Sequence, residues 1–216
     1  MLIRRRLRHG FTLIEVMISL LVLGVLLALG APSFAEWLQN QQIRAATEAT
    51  LNGLQLARAT AVQRNVPVRF QFVTDLTSAC ALTNSSLNWV VSMASPANAC
   101  DAAPDTTGLP NPPAPGIIQI RSSAEGTPNV VVTPVYVPLP PGASAPATTV
   151  TFSSLGSVIN PNADGSFPIV KIDFTNPRVA AGAARPLRVV ITTGGSIRMC
   201  DPAVTGTDPR ACPAFP

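Results

Sequence analysis

The chain has 216 residues, 47% of them apolar, with 15 Lys+Arg against 11 Asp+Glu and a formal net charge of +4. Four of the arginines, Arg4, Arg5, Arg6 and Arg8, fall in the first ten residues; removing them leaves 11 basic against 11 acidic side chains, so overall basicity is no argument for nucleic acid. The one histidine, His9, lies in the same stretch, which leaves the rest of the chain without a histidine general base, a histidine metal ligand or a Ser-His-Asp triad.

The first element is an apolar run. Gly10-Phe11-Thr12-Leu13-Ile14-Glu15 opens it behind the basic stretch, and it continues from Val16 to Ala31. A run of about 20 apolar residues is long enough to cross a bilayer. Glu15 sits inside it, where a carboxylate costs a few kcal/mol unless it finds a partner. Ala28-Leu29-Gly30-Ala31 imitates a secretory cleavage site, but neither that reading nor a plain signal anchor accounts for Gly-Phe-Thr-Leu-Ile-Glu at the polar/apolar boundary.

This hexamer after a short Arg-rich leader resembles the type III signal of type IV prepilins and pseudopilins. The resemblance implies that a prepilin peptidase cuts between Gly10 and Phe11 and methylates the new amine of Phe11. It also implies that Glu15 pairs with the N-terminal amine of an adjacent subunit during assembly. Such a pairing lowers the cost of burying either charge alone. The leader arginines keep their end cytoplasmic, which implies a single pass of the inner membrane with the head in the periplasm.

Helical spacing continues past Pro32, which is expected to kink the helix without ending it. Trp37, Ile43, Ala46, Thr50, Leu54, Ala57 and Ala61 form one face, and Gln41, Arg44, Glu48, Asn52, Gln55 and Arg58 the other. After Asn65 the period becomes alternating, with Val66, Val68, Phe70 and Phe72 on one side of a strand. Further strands are expected at Leu87–Met93, Ile117–Arg121, Val130–Val137, Thr148–Phe152, Ile169–Phe174, Leu187–Thr192 and Ser196–Cys200. Thr193-Gly194-Gly195 is expected to turn a terminal hairpin. Pro104–Pro115 and Pro138–Pro146 are expected to be extended loops.

Four cysteines, Cys80, Cys100, Cys200 and Cys212, contain no C-x-x-C pair, so neither a metal site nor a cofactor is expected. An exported head lies in an oxidising compartment. Three connectivities are open to four cysteines; chain order and local loops favour Cys80–Cys100 and Cys200–Cys212.

The body resembles the GspH/FimT-type minor pilins. The resemblance rests on Leu54–Asn65, Val66-Pro67-Val68-Arg69-Phe70, Phe152-Ser153-Ser154-Leu155-Gly156 and Ile197-Arg198-Met199-Cys200-Asp201-Pro202. It implies an α+β, pilin-like lollipop whose long N-terminal helix packs on an antiparallel sheet. The expected divisions are a leader at 1–10, a transmembrane or filament-core helix at 11–31, an amphipathic helix at 32–65 and a β-rich head at 66–216. The implied role is a non-enzymatic, tip-associated minor pilin that primes pilus assembly. Its partners would be the peptidase, the inner membrane and other major and minor pilins. One alternative is an H-type pseudopilin of type II secretion. Another is a DNA-binding minor pilin of natural transformation, since family members that bind DNA carry a Gly-Arg-x-Arg turn. This chain has Gly195-Ser196-Ile197-Arg198 there: the glycine and second arginine match, while Ser196 stands for the first arginine and removes one phosphate contact. Lys171, Arg178, Arg185, Arg188 and Arg198 against Asp173 alone over residues 171–198 offer a local basic patch, with Arg188 and Arg198 the candidate phosphate contacts.

Overall fold

A computed structural model describes residues 10–110, 112–137, 145–180 and 182–213. The basic leader over residues 1–9 and most of the Pro138–Pro146 stretch lie outside the described residues. The chain divides into two compact units, Met1–Leu38 and Gln39–Pro216. One helix, α1 (Leu13–Arg64), contributes to both.

In the first unit the described large apolar side chains from Phe11 to Leu38 are all exposed. A helix that is apolar all round calls for a non-aqueous surround. Trp37 departs from its expected place on the packed face: it is 52% exposed and stacks on Phe34 with ring centroids 5.7 Å apart. The packed face begins only at Ile43. Among the described residues no single straight helix is long and apolar enough to cross a membrane; Leu13–Ala28 and Ser33–Arg64, joined at a bend, pass that test together. The break between them contains Pro32, which has no N–H to give to the helical ladder.

In the second unit α1 buries Ile43, Ala46, Thr50, Leu54, Ala57 and Ala61 and exposes Gln41, Arg44, Glu48, Asn52, Gln55 and Arg58, as the periodicity predicts. Of the buried threonines of α1, Thr47 and Thr50 donate their hydroxyls to the carbonyls of Ile43 and Ala46, at 2.7 and 2.9 Å, so neither of these is buried unsatisfied. The helix ends on Asn65, whose φ of 56° lets Val66 N–H reach back to the Ala61 carbonyl.

Among the described residues nine strands follow: β1 (Val68–Val73), β2 (Asn88–Ser92), β3 (Ile117–Arg121), β4 (Val131–Tyr136), β5 (Ala145–Pro146), β6 (Thr149–Phe152), β7 (Lys171–Thr175), β8 (Leu187–Ile191) and β9 (Ile197–Cys200). They make two antiparallel sheets, ordered β3-β2-β1-β6 and β5-β4-β7-β8-β9. Eight strands fall where alternation put them. The exception is β5, the end of the stretch expected to be loop: Ala145 and Pro146 pair with Tyr136 and Val135 at the sheet edge. An edge is where a strand tolerates proline, because one side of its backbone needs no donor.

The inner faces of both sheets and the helix share one core, in which Phe70, Phe72, Trp89, Phe152 and Phe174 are the largest buried groups. Gly53 of α1 faces the Trp89 indole so closely that a Cβ there would lie 2.7 Å from the ring. A smaller cluster of Val73, Cys80, Val90, Cys100 and Ile117 covers the outer face of the first sheet.

Candidate functional site

The first site candidate is the start of α1. Thr12 caps it: its hydroxyl oxygen accepts from Glu15 N–H at 3.3 Å, and its carbonyl accepts from Val16 N–H at 3.2 Å. Thr12-Leu13-Ile14-Glu15 therefore has the S/T-x-x-E spacing of a capping box. Glu15 lies in the first turn, where the positive end of the helix dipole favours a carboxylate. Its side chain is exposed, and the ion pairs among the described residues do not include it. Ser19 donates its hydroxyl to the Glu15 carbonyl at 2.7 Å. Gly10 and Phe11 lie outside the helix and are exposed, Phe11 at 81%. The bond between them is exposed, and a cation brought beside Glu15 would meet a carboxylate that has no ion-pair partner among the described residues.

The second candidate is the terminal hairpin. Thr193-Gly194-Gly195 turns β8 into β9, with Gly195 N–H donating to the Thr192 carbonyl at 2.8 Å and Thr192 N–H to the Ser196 carbonyl at 3.0 Å. Gly195 has a φ of 78°, a conformation that glycine adopts at no steric cost. Register places Lys171, Asp173, Arg188 and Arg198 on the outer face of the second sheet: Asp173 lies opposite Arg188, and Val190 lies between Lys171 and Arg198. The arginines share a face but not a role. Arg188 Nε donates to Asp173 Oδ1 at 2.5 Å and is half-buried, and Lys171 Nζ lies 3.7 Å from Asp173 Oδ2. Arg198 is exposed and outside these pairs. The carboxylate of Asp173 thus takes up the charge of Arg188, which the sequence had offered to phosphate.

Two family models match the chain. One, described as the prokaryotic N-terminal methylation motif, covers residues 5–31 and so contains Gly10, Phe11 and Glu15. The other, described as Type II transport protein GspH, covers residues 46–195, more than half of the chain. The chain belongs to the GspH family. Among solved structures it is similar to the Pseudomonas aeruginosa type IV minor pilin FimU. In one crystal form the identity is 14% and the TM-score 0.42, over 77% of this chain and 94% of that one. In a second form the values are 14% and 0.42, over 76% and 97%. No curated protein matches the chain by sequence.

The GspH-type head carries its cysteines as two disulfides, Cys80–Cys100 and Cys200–Cys212, the pairs that chain order favours. The second ties the tail to β9, where Asp201 also forms a parallel bridge with Ala211. No group of metal-ligating side chains occurs among the described residues.

Two features were not read from the sequence. Arg64, at the end of α1, donates to Asp105 Oδ2 and, at 3.2 Å, to the Leu109 carbonyl, pinning the 104–115 loop to the helix. The Thr107 hydroxyl, the Arg64 guanidinium and the Thr107 N–H hold the Asp105 carboxyl down at about 2. The partners are 41 residues apart, so no local pattern announces them. The other is a three-way junction under the hairpin. Arg58 Nε donates to the Gly156 carbonyl at 3.1 Å, Val158 N–H to the Thr193 carbonyl at 2.9 Å, and Gly195 lies against Gly156. The signal was present in the glycines of the two motifs, Ser153-Ser154-Leu155-Gly156 and Gly195-Ser196-Ile197-Arg198; what was missing was that they touch.

Proposed function

We propose that this GspH-family protein is a membrane-anchored minor pilin or H-type pseudopilin at the tip of its filament, and that assembly is its mechanism. The observation that carries the reading is the combination in one chain of the methylation motif over residues 5–31 and the GspH match over residues 46–195. The exposed Glu15 at a capped helix start, in no ion pair among the described residues, agrees with it.

In this reading a prepilin peptidase cuts between Gly10 and Phe11 and methylates Phe11. The apolar part of α1 holds the subunit in the bacterial inner membrane in a single pass, with the head in the periplasm, until extraction. The amine of an adjacent subunit then meets Glu15. Two charges brought together in a low-dielectric filament core stabilise one another, whereas either alone is costly there. The head presents its loops to neighbouring pilins. The protein acts as a structural subunit, without catalysis or a cofactor.

The exposed Arg198, on the same outer sheet face as Lys171 with Val190 between them, supports the DNA-receptor reading as an alternative. The Arg188–Asp173 pair weighs against it.

Mass spectrometry of the protein from its native membrane tests the processing step. The mature chain is expected to begin at methylated Phe11, and Gly10→Val to leave the uncut precursor. An intact N-terminus at Met1, or one near Pro32, in the wild type would contradict the reading.

A further inference from the structure

Over the outer face of the first sheet lies a cleft of about 370 Å³ that none of the sites above uses. Its floor is Arg69 of β1, flanked across the sheet by Thr151 and Ser92. Its walls and ends are apolar and rich in proline, among them Pro67, Met93, Pro112, Pro115, Ile159 and Pro161.

Hydrogen bonds hold part of each wall. On one side Ala94 N–H donates to the Pro115 carbonyl at 3.0 Å and Gly116 N–H to the Pro113 carbonyl at 3.0 Å. On the other, Ile159 N–H donates to the Thr151 carbonyl at 2.9 Å, and Thr151 donates its hydroxyl to the buried Asn162 Oδ1 at 2.7 Å. A pre-formed cleft of this kind saves the ordering cost that a mobile loop would impose on a ligand.

The guanidinium of Arg69 stands out within this apolar frame. Among the described residues it enters no ion pair, and its side chain makes no hydrogen bond. The nearby carboxylate, Asp164, is close enough for its charge to act on Arg69, but the two form no ion pair among the described residues, and its Oδ1 accepts from the N–H and hydroxyl of Ser166, at 3.0 and 2.6 Å. Thr151, its cross-strand neighbour, is committed to Asn162. Arg69 is therefore a half-buried residue among apolar walls whose planar fork of N–H donors has no protein partner among the described residues, and that fork matches a carboxylate in bidentate geometry. Prolines and aliphatic side chains on either side suit an extended chain with small apolar residues next to that carboxylate.

We infer that the Arg69 cleft is a docking site for an extended, acidic segment of another protein chain, with one aspartate or glutamate seated on Arg69 and flanking proline or alanine against the walls. The inference adds a partner chemistry to the filament-subunit reading but does not depend on leader processing or on filament entry, which the following experiment does not involve.

The probes are a labelled acetyl-Ala-Pro-Glu-Pro-Ala-amide peptide and its Gln counterpart, titrated by fluorescence anisotropy against the full chain in detergent micelles. The acidic peptide is expected to bind saturably and the Gln peptide about tenfold more weakly or worse, the size of a lost charge-assisted contact. Arg69→Gln is expected to erase that difference while leaving the thermal unfolding midpoint within about 2 °C of wild type, since the Arg69 side chain makes no ion pair or hydrogen bond among the described residues. Equal binding of the two peptides, or binding of neither, overturns the inference. So does competition by inorganic phosphate as strong as that of the unlabelled acidic peptide, which would mark a bare anion site. An unfolded Arg69→Gln variant would give Arg69 a structural role and overturn it as well.

Discussion

Gly195→Ala is the sharpest test of how the hairpin is held. A Cβ on Gly195 would lie 1.8 Å from the Gly156 carbonyl oxygen and 2.9 Å from its carbon, where real contacts stay beyond 3.0 Å. Both atoms are backbone, so no side-chain rotation relieves the clash, and the oxygen is already bonded to Arg58 Nε. The left-handed φ of 78° costs an alanine about 1–2 kcal/mol. Pushing two packed turns apart costs about 1–3 kcal/mol more. The sum, about 2–5 kcal/mol, is a large share of a typical domain's stability of about 5–15 kcal/mol. At about 2–4 °C per kcal/mol for a domain of this size, the unfolding midpoint is expected to fall by about 4–20 °C. The control is Gly194→Ala, one residue earlier, where a Cβ meets nothing within 4 Å and φ is not positive; it is expected to stay within about 0.5 kcal/mol of wild type. Thermal unfolding of the full chain in detergent, followed by circular dichroism, measures both. If the two variants melt together, the junction of Gly195, Gly156 and Arg58 does not hold the hairpin.

Two further outcomes follow from named contacts. The folded pKa of Asp105 is depressed, from 3.8 to about 2, so its contribution to stability is present above the unfolded value and is lost as pH falls through the folded one. Urea unfolding from pH 5 to pH 2 is therefore expected to show Asp105→Asn less stable than wild type at pH 5, with the gap closing toward pH 2; a gap that is constant with pH would remove the Arg64 and Thr107 contacts as its cause. For DNA, retardation of duplex by the full chain at low salt is expected to depend on Arg198 more than on Arg188, and Ser196→Arg to strengthen it with a steeper salt slope; no retardation by wild type or by Ser196→Arg would end the receptor reading.

The sequence made legible what depends on local period. Val66, Val68, Phe70 and Phe72 alternate, and β1 lies there; Ile43 to Ala61 recur every three or four residues, and that face of α1 is buried. Pairing across the fold was less visible. Ala145 and Pro146 of β5 carry no strand signal of their own, so the sequence predicts loop there; they pair because β4 presents an edge to them. Trp37 was read as packed because apolar spacing persists along a helix whether or not a sheet covers it. Gly53 passed unnoticed, although a glycine inside a helix costs about 1 kcal/mol against alanine and so asks for a packing reason, here the Trp89 ring. The Arg188–Asp173 pair was within reach, since Asp173 is the sole acid from residue 171 to 198, but only strand register shows that the two lie directly opposite. The first-turn signal behaved differently. Thr12-Leu13-Ile14-Glu15 was legible as a motif, and its capping geometry is local, so sequence and structure describe the same four residues.

The central claim is that Glu15 serves assembly, not anchoring. Glu15→Val makes the apolar helix more apolar, so membrane insertion is expected to equal or exceed that of wild type. Sheared filaments from cells expressing the variant, immunoblotted beside the membrane fraction, give the decisive comparison. The account predicts a membrane pool at wild-type level or above and loss of the subunit from the filament fraction. Wild-type incorporation of Glu15→Val would contradict it.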